Sequence, residues 1–225
     1  MLCRKKMTRF FWVFTSLLIA TNCYSQIEQL EKYKNLYTTI DSLNKLGQPF
    51  LVDSLTVKKV KILDNQHPAY YFAEVGNLLI HLKFNDAAFA YYLGMLRFRY
   101  YNLENPEYHS YGDGAMAVSL QYGMGEPVNF YLKTNIDNFR SALQFSSRYF
   151  AENDYTFFSK KKDPEKYDSL IVIYSDMIKD LETNREKYQK KWADERETLI
   201  ESINKSIKEY NDMTPEQKEK LKNNH

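Results

Sequence analysis

The most unusual residues of this chain lie in one aromatic-rich segment and in the turn-rich stretch that follows it. Arg97 and Arg99 stand within residues 91–101, and residues 102–114 gather Asn, Pro, Ser, Gly and Asp, the residue types that favour turns. Guanidinium groups hold carboxylates, and loop tyrosines such as Tyr155 offer contact area together with a hydroxyl group. The sequence therefore predicts a binding site for an anionic ligand or for a partner's carboxylate. Its candidate residues are Arg97, Arg99, Tyr108, His109, Tyr111 and Asp113.

A structural interpretation of the two arginines is also open. Because they are two positions apart on a helix, Arg97 and Arg99 point roughly 200° away from each other, and at least one of them approaches the core or the following loop. A buried guanidinium needs a carboxylate, since an unpaired buried charge is costly. Asp113 and Glu104 are the nearest candidates in the sequence. In this interpretation the ion pair pins residues 102–114 to the helix and binds no ligand.

Motifs with a demanding spacing do not occur in the sequence, so we expect no catalytic residue, metal site or cofactor. His67 and His81 lack the close spacing that places two zinc ligands on one helical face. The enzymatic alternative is a cell-wall hydrolase, which needs two carboxyl groups about 5 to 9 Å apart across a cleft. Glu104, Glu107 and Asp113 are the candidates for that role.

Residues 1–25 have the pattern of a secretory signal peptide. Four basic residues accompany an apolar run over 10–20, which is shorter than the roughly 20 residues needed to span a bilayer. Small side chains at Cys23 and Ser25 favour cleavage after Ser25. We therefore expect an exported protein, periplasmic or secreted, with no membrane span after cleavage. The alternative is a lipoprotein anchored at Cys23.

Removal of this leader changes the charge and the cysteine content. The leader holds four basic and no acidic residues, which leaves 27 Lys and Arg against 29 Asp and Glu, a net charge of −2. Such a chain has no bulk basic field, so we expect no nucleic-acid partner. Cys3 and Cys23 are the two cysteines of the sequence and both lie in the leader. The fold must then be stabilised by packing, without disulfides.

The elements that must position the candidate site are helices. Only seven Gly and six Pro are present, and long breaker-free runs favour helix. Apolar residues at three-and-four spacing mark helical faces in residues 27–46, 135–152 and 164–210. We therefore predict an all-α, irregular helical bundle with a helix hairpin at about 68–101. Residues 50–66 are predicted to form a connector or a short helix.

The predicted hairpin resembles a tetratricopeptide-like helix pair. Its first helix begins at His67-Pro68, and Asn85 and Asp86 are candidate caps for its second helix. The resemblance covers about 35 residues and has no second copy at that period, so no repeat array is expected. The residues that carry it are Gly76, Leu79, Phe84, Asp86, Ala87, Ala88, Leu93 and Gly94.

Gly and Pro residues divide the rest of the chain. Gly123, Gly125 and Pro127 are predicted to end a helix over 115–122 and to restart the chain. The run 164–210 would make a helix too long for a compact domain, so its distal half is expected to project or to fold back at Thr183-Asn184. The predicted segments are a signal peptide (1–25), a helical domain (26–158), a long C-terminal helix (159–213) and a charged terminal helix or tail (214–225).

Two short patterns carry a further resemblance. An aromatic-Leu-Gly-x-x-Arg-x-Arg helix, from Tyr92 to Arg99, is followed by a Gly-Asp-x-Ala helix start, from Gly112 to Ala115. This arrangement resembles helical bacterial periplasmic proteins, including immunity proteins that neutralise toxins delivered into the periplasm, and it covers under a third of the chain. The resemblance implies a binding protein that acts by occluding a partner.

We therefore expect an exported, non-enzymatic helical protein that binds another macromolecule, a protein, in the cell envelope. Immunity-type inhibition is the mode that the resemblance implies. One alternative is the cell-wall hydrolase that uses loop carboxylates. The other is a structural envelope protein that self-associates through its C-terminal helix, where an apolar stripe continues at Tyr188, Trp192, Leu199, Ile203, Ile207 and Tyr210.

Overall fold

The computed structural model of the protein describes residues 23–45, 47–104 and 113–218. Over this part of the chain the fold is an all-α bundle, 83% helical and without strands, which confirms the predicted fold class. None of the helices described is long and apolar enough to cross a bilayer. They are α1 (Cys23–Lys45), α2 (Ser54–Leu63), α3 (Ala69–Ile80), α4 (Phe84–Glu104), α5 (Asp113–Leu132), α6 (Ile136–Glu152), a short 3₁₀ helix (Thr156–Phe158), α7 (Pro164–Thr183) and α8 (Arg185–Asp212).

Two compact units share these helices. Residues 44–193 form the larger unit, and the described parts of 1–43 and 194–225 form the other. Helix α7 lies in the larger unit together with α2 to α6, where it packs along α6 and α4. The predicted boundary between residues 158 and 159 stays a prediction.

Helix α4 is the centre of the larger unit and packs against α3, α5, α6 and α7. Its residues 84–100 are all buried except Asn85 and Arg99, which are half-buried. A helix that is apolar on every side is stable only when it is surrounded, because each apolar face left in water would lose the stabilisation that burial provides. The position of α4 therefore fixes where the neighbouring helices lie.

Helices α3 and α4 form the predicted hairpin, and its turn has a Schellman geometry. The N–H of Lys83 donates to the carbonyl of Leu78 at 2.9 Å, and Leu82 takes a φ of 58°, in the left-handed region that usually holds glycine. Gly94 allows the two helices to approach closely, since a Cβ there would lie 2.7 Å from the Cβ of Tyr71.

Helix α5 continues through Gly123, Gly125 and Pro127, so the break predicted there is wrong. Gly125 lies against the phenol group of Tyr91, which leaves no room for a side chain at that position. The proline removes one helical N–H donor, and packing on α3 and α4 outweighs that loss.

Asn85 and Asp86 do not cap α4 as predicted, because the helix begins at Phe84 and includes both residues. Their side chains hold other segments. Asp86 accepts a hydrogen bond from the N–H of Asp53 at 2.8 Å, and Asn85 accepts one from the Tyr131 hydroxyl at 2.7 Å. These two bonds fasten the start of α2 and the end of α5 to α4.

The later helices begin near the residues that the sequence predicts. Asn135 caps α6 by accepting hydrogen bonds from two amides of its first turn, and Asp163 caps α7. The long C-terminal run is interrupted at Asn184, between α7 and α8. Immediately beyond this break α8 contacts α6, because the ring of Trp192 packs on that of Phe139 with ring centroids 5.7 Å apart.

In the smaller unit, α1 and the second part of α8 are joined by an ion pair between Arg196 and Asp41 at 2.7 Å. Tyr37 and Ile40 of α1 and Ile203 of α8 are buried. Ile203 lies in the middle of the apolar stripe for which self-association was predicted, and it is already covered within this chain. Self-association through α8 stays a prediction.

The C-terminal segment starts with a capped helical turn. The N–H of Thr214 donates to Oε1 of Gln217 at 2.8 Å, and the N–H of Gln217 donates to Oγ1 of Thr214 at 3.3 Å. This reciprocal pair is a capping box. A helical turn follows at residues 215–218.

Gly94→Ala is expected to lower the free energy of unfolding by about 1 to 3 kcal/mol, because the added methyl group would overlap Tyr71 where α3 meets α4. Urea unfolding followed by circular dichroism measures the change. The matched control is Gly123→Ala, whose Cβ meets nothing within 4 Å, so stability should stay the same or rise by up to about 1 kcal/mol. Equal losses in the two variants would contradict this account of the α3–α4 packing.

Candidate functional site

The structure places Arg97 in the core of the larger unit. Its side chain is 0% exposed, and its Nη2 lies 2.8 Å from Oδ1 of Asp64, which is also buried. Asp64 is the residue that ends α2. This confirms the expectation that at least one of the two arginines approaches the core and pairs with a carboxylate.

Aromatic rings and backbone carbonyls complete the surroundings of the guanidinium group. The rings of Phe150 and Tyr155 lie 4.9 Å and 5.1 Å from its central carbon, which are cation–π distances. Nη2 donates to the carbonyl of Asn153 at 2.9 Å, and Nη1 donates to the hydroxyl of Tyr167. Tyr155, which the sequence analysis placed on the surface, is therefore a buried part of this cage.

The Asp64 carboxylate is held as tightly as its arginine partner. Tyr71 donates to Oδ1 at 2.6 Å and Tyr149 donates to Oδ2 at 3.0 Å. Burial raises the pKa of the Asp64 carboxyl, while Arg97 and the two tyrosine hydroxyls act in the opposite direction. The backbone carbonyl of Asp64 also accepts a hydrogen bond from the N–H of Phe157 at 2.9 Å. We call the residues around this ion pair the Asp64–Arg97 network.

The predicted partner of Arg97 was wrong. Asp113 and Glu104 were the candidates because they are near in sequence, whereas the carboxylate that pairs with Arg97 comes from Asp64, 33 positions upstream. No spacing rule connects those two positions, so the sequence held no signal for the pair. The proposed anion site loses Arg97, because a fully buried guanidinium that already has a carboxylate offers nothing to an external ligand.

Asp113 instead pairs with His67 at the end of the bundle where α3 and α5 begin. Oδ2 of Asp113 lies 3.3 Å from Nε2 of His67, and Nδ1 of His67 accepts the N–H of Ala69 at 3.2 Å. Because Nδ1 acts as an acceptor, the proton of the neutral imidazole is on Nε2 and is donated to Asp113. The side chains of His67 and Asp113 are 23% and 37% exposed.

Aromatic rings surround this imidazole, and the plane of each is nearly perpendicular to the plane of the imidazole. Its ring centroid lies 5.2 Å from that of Tyr101, 5.5 Å from that of Phe98 and 5.9 Å from that of Phe157. Burial raises the pKa of the Tyr101 hydroxyl, and the charge of Asp113 adds to the rise. We call His67, Tyr101, Asp113 and Phe157 the His67 patch. Phe157 is its most exposed ring, at 42%.

The hydrogen bonds of the His67 patch fix the orientation of its imidazole at the surface of the protein. Both nitrogens of the imidazole are engaged, one as an acceptor and one as a donor, so the ring has no lone pair directed at a substrate. No sequence pattern marks His67 as a binding residue, because its contact with Asp113 joins residues 46 positions apart. In the described ranges no group of three or more His, Cys, Asp or Glu side chains is placed to bind a metal.

The candidate residues therefore separate into different environments. Arg97 belongs to the core, Asp113 belongs to the His67 patch, and Arg99 is half-buried on another side of α4. Tyr108, His109 and Tyr111 lie outside the described residues, so their place in the site stays a prediction.

Comparison with known proteins adds no relative. The chain matches no protein-family model, and no curated protein and no solved structure matches it.

Asp64→Ala is expected to lower the free energy of unfolding by about 3 to 5 kcal/mol, because it leaves the Arg97 cation buried without a counter-ion. Asp64→Asn, which keeps a hydrogen-bond acceptor, should lose less. The double variant Asp64→Ala, Arg97→Met should be more stable than the sum of its single variants, because it removes the unpaired charge. Urea unfolding of the wild type, Asp64→Ala, Arg97→Met and the double variant gives the coupling free energy, and strict additivity would contradict a stabilising pair.

Stability is expected to fall steeply above about pH 10, where the tyrosines of an unfolded chain ionise. Burial raises the pKa of Tyr91 to about 12 and raises the pKa of Tyr71, Tyr149 and Tyr167. Groups with a raised folded pKa contribute full stability below the unfolded pKa and lose it as the pH rises towards the folded value.

The free energy of unfolding measured between pH 9 and pH 12 checks this expectation, with tyrosinate absorbance as a second signal. Tyr91→Phe is the informative variant, since removing one such group should reduce the slope in the alkaline range by about 1.4 kcal/mol per pH unit. A stability that does not change up to pH 12 would contradict the burial of these hydroxyls.

Proposed function

We propose that the protein is an exported, non-enzymatic helical protein that binds another macromolecule of the cell envelope, a protein partner, in the manner of an immunity-type inhibitor. The observation that carries this proposal is the His67 patch, an aromatic surface that is partly exposed and held from several sides. Phe157 is fixed by its own N–H bond to Asp64 and by ring contacts with His67 and Tyr101. A preformed surface of this kind loses little conformational entropy on binding.

Aromatic residues with few rotatable bonds are the usual anchors of protein interfaces. The patch also lies where α5 begins, next to the turn-rich stretch to which the sequence analysis assigned binding. Asp113 accepts the hydrogen bond of His67 there, so its carboxylate serves to hold the patch together. This arrangement favours binding over the acid–base chemistry of a cell-wall hydrolase.

The proposal is tested by capturing the tagged protein from its own host, identifying a stoichiometric partner by mass, and titrating the purified partner. Phe157→Ser is expected to weaken that binding by about thirtyfold, as loss of an aromatic anchor typically does. Val172→Ser is the matched control, because Val172 is an exposed apolar residue of α7 outside the patch and its loss should leave the affinity unchanged.

Circular dichroism and thermal unfolding of both variants show that the fold is retained, and Phe157→Leu should restore part of the affinity. Inhibition of the partner's own activity by the wild-type protein would support the immunity-type mode. A wild-type protein that recovers no stoichiometric partner, or a Phe157→Ser variant that binds as tightly as the control, would overturn the proposal.

A further inference from the structure

Of the two candidate arginines, Arg97 belongs to the core and Arg99 does not. It is half-buried on α4, and it makes no hydrogen bond or ion pair with any residue in the described ranges. Burial raises the pKa of Tyr91 and Tyr174, and the positive charge of Arg99 works against that rise. The charge of Arg99 therefore acts on the Tyr174 hydroxyl of α7 as well as on Tyr91 of its own helix.

The helical register shows which side of α4 this is. Arg99 follows Tyr92 by seven residues, so the two share one face of the helix. The Tyr92 hydroxyl donates to Oδ1 of Asn129 in α5 at 2.6 Å, and the carbonyl of Tyr92 accepts the hydroxyl of Tyr174 in α7 at 2.7 Å. This face of α4 thus lies between α5 and α7, with Arg99 about two turns closer to the C-terminal end of α4.

The flank of α5 on that side is apolar and exposed. Val118 and Tyr122 precede Asn129 by eleven and seven residues, which places all three on one side of the helix. Each of the two is 51% exposed. The α5 sequence has no charged residue from 114 to 125, although charged residues make up 27% of the chain. We call Arg99, Val118 and Tyr122 the Arg99 face.

A further polar atom near this face has no partner. The side-chain Oδ1 of Asn102, one turn beyond Arg99 on α4, is enclosed and accepts no hydrogen bond from the residues described. Enclosed polar atoms are normally paired, so among the described residues this amide oxygen is an exception.

We propose that the Arg99 face binds a segment of the partner protein in which one Asp or Glu side chain stands among apolar side chains. The inference rests on the proposed function and names the chemistry of the partner. A single guanidinium matches a single carboxylate, which it can bind through two parallel hydrogen bonds. The apolar flank beside it matches apolar side chains.

The charge distribution argues against the other anions that an arginine can bind. A nucleic acid or a phosphorylated group carries more negative charge and is bound by several cations together. The neighbouring stretch of α5 supplies none over residues 114–125. One guanidinium beside this uncharged stretch of α5 is instead complementary to one carboxylate beside an apolar surface.

The test uses a phage-displayed library of random peptides selected on the purified protein. Enriched sequences should contain one acidic residue flanked by apolar residues. Arg99→Gln should weaken their binding by about tenfold or more, as loss of a charge-assisted hydrogen bond does, and exchange of the peptide's Glu for Gln should weaken it equally. Arg148→Gln is the matched control, because Arg148 is an exposed arginine of α6 outside this face.

A charge swap keeps the test independent of any effect on folding. Arg99→Glu should lose the acidic peptide and gain the same peptide with Lys in place of its Glu. The inference would be overturned if no peptide is enriched, or if the enriched peptides contain no acidic residue. It would also be overturned if Arg99→Gln and Arg148→Gln bind the enriched peptides equally well. Dimerisation of the wild-type protein in light scattering that Arg99→Gln abolishes would also overturn it, since the occupant would then be a second copy of the chain.

The two proposals fail in distinguishable ways. A captured partner that depends on Phe157 and binds Arg99→Gln normally would leave the proposed function standing and remove the Arg99 face from it. A protein without any partner would remove the proposed function itself.

Discussion

A guanidinium group can remain charged inside a protein only if the water it loses is replaced by fixed partners, and the larger unit of this protein is arranged around that requirement. Arg97 receives a carboxylate from Asp64, a carbonyl from Asn153 and the faces of two aromatic rings. Asp64 in turn receives the hydroxyls of Tyr71 and Tyr149. The network joins α2, α3, α4, α6 and α7 through hydrogen bonds. These bonds form only in particular directions, whereas apolar packing is not directional.

This directionality determines where the surface features lie. The carbonyl of Asp64 holds Phe157, and Phe157 lies against His67, so the His67 patch stands on the same residue that neutralises Arg97. Arg99 is two positions farther along α4 and points away from that network. One helix thus directs one arginine into the core and presents the other beside the apolar flank of α5. The register of α4 therefore determines that Arg97 is buried and that Arg99 lies nearer the surface.

The sequence predicted those elements whose signals are local. The apolar periodicity over residues 135–152 and 164–210 identified α6 and α7, which the structure contains. Local signals failed where tertiary packing decided the outcome. Helix α5 continues through Gly123, Gly125 and Pro127 because the neighbouring helices pack against it. Gly125 is required by the ring of Tyr91, which lies more than thirty positions away in the sequence and leaves no room for a side chain.

The candidate site shows the same division. The divergence of Arg97 and Arg99 and the need for a buried carboxylate follow from helical geometry and electrostatics, and both could be predicted. The identity of that carboxylate could not, because nearness in the sequence favoured Asp113 and the fold brings Asp64 instead. The role of Asp113 as the acceptor of His67 likewise depends on a contact between residues 46 positions apart.

The Asp64–Arg97 network also has a consequence for how the chain acquires its shape during synthesis. Its members span residues 64 to 167, so a ribosome must release about three quarters of the polypeptide before the hydroxyl of Tyr167 can reach Arg97. Until then the Arg97 guanidinium keeps its hydration shell, because the partners that replace water around it in the folded protein are incomplete. The larger unit therefore completes its core only late in synthesis, once contacts between residues distant in the sequence can form.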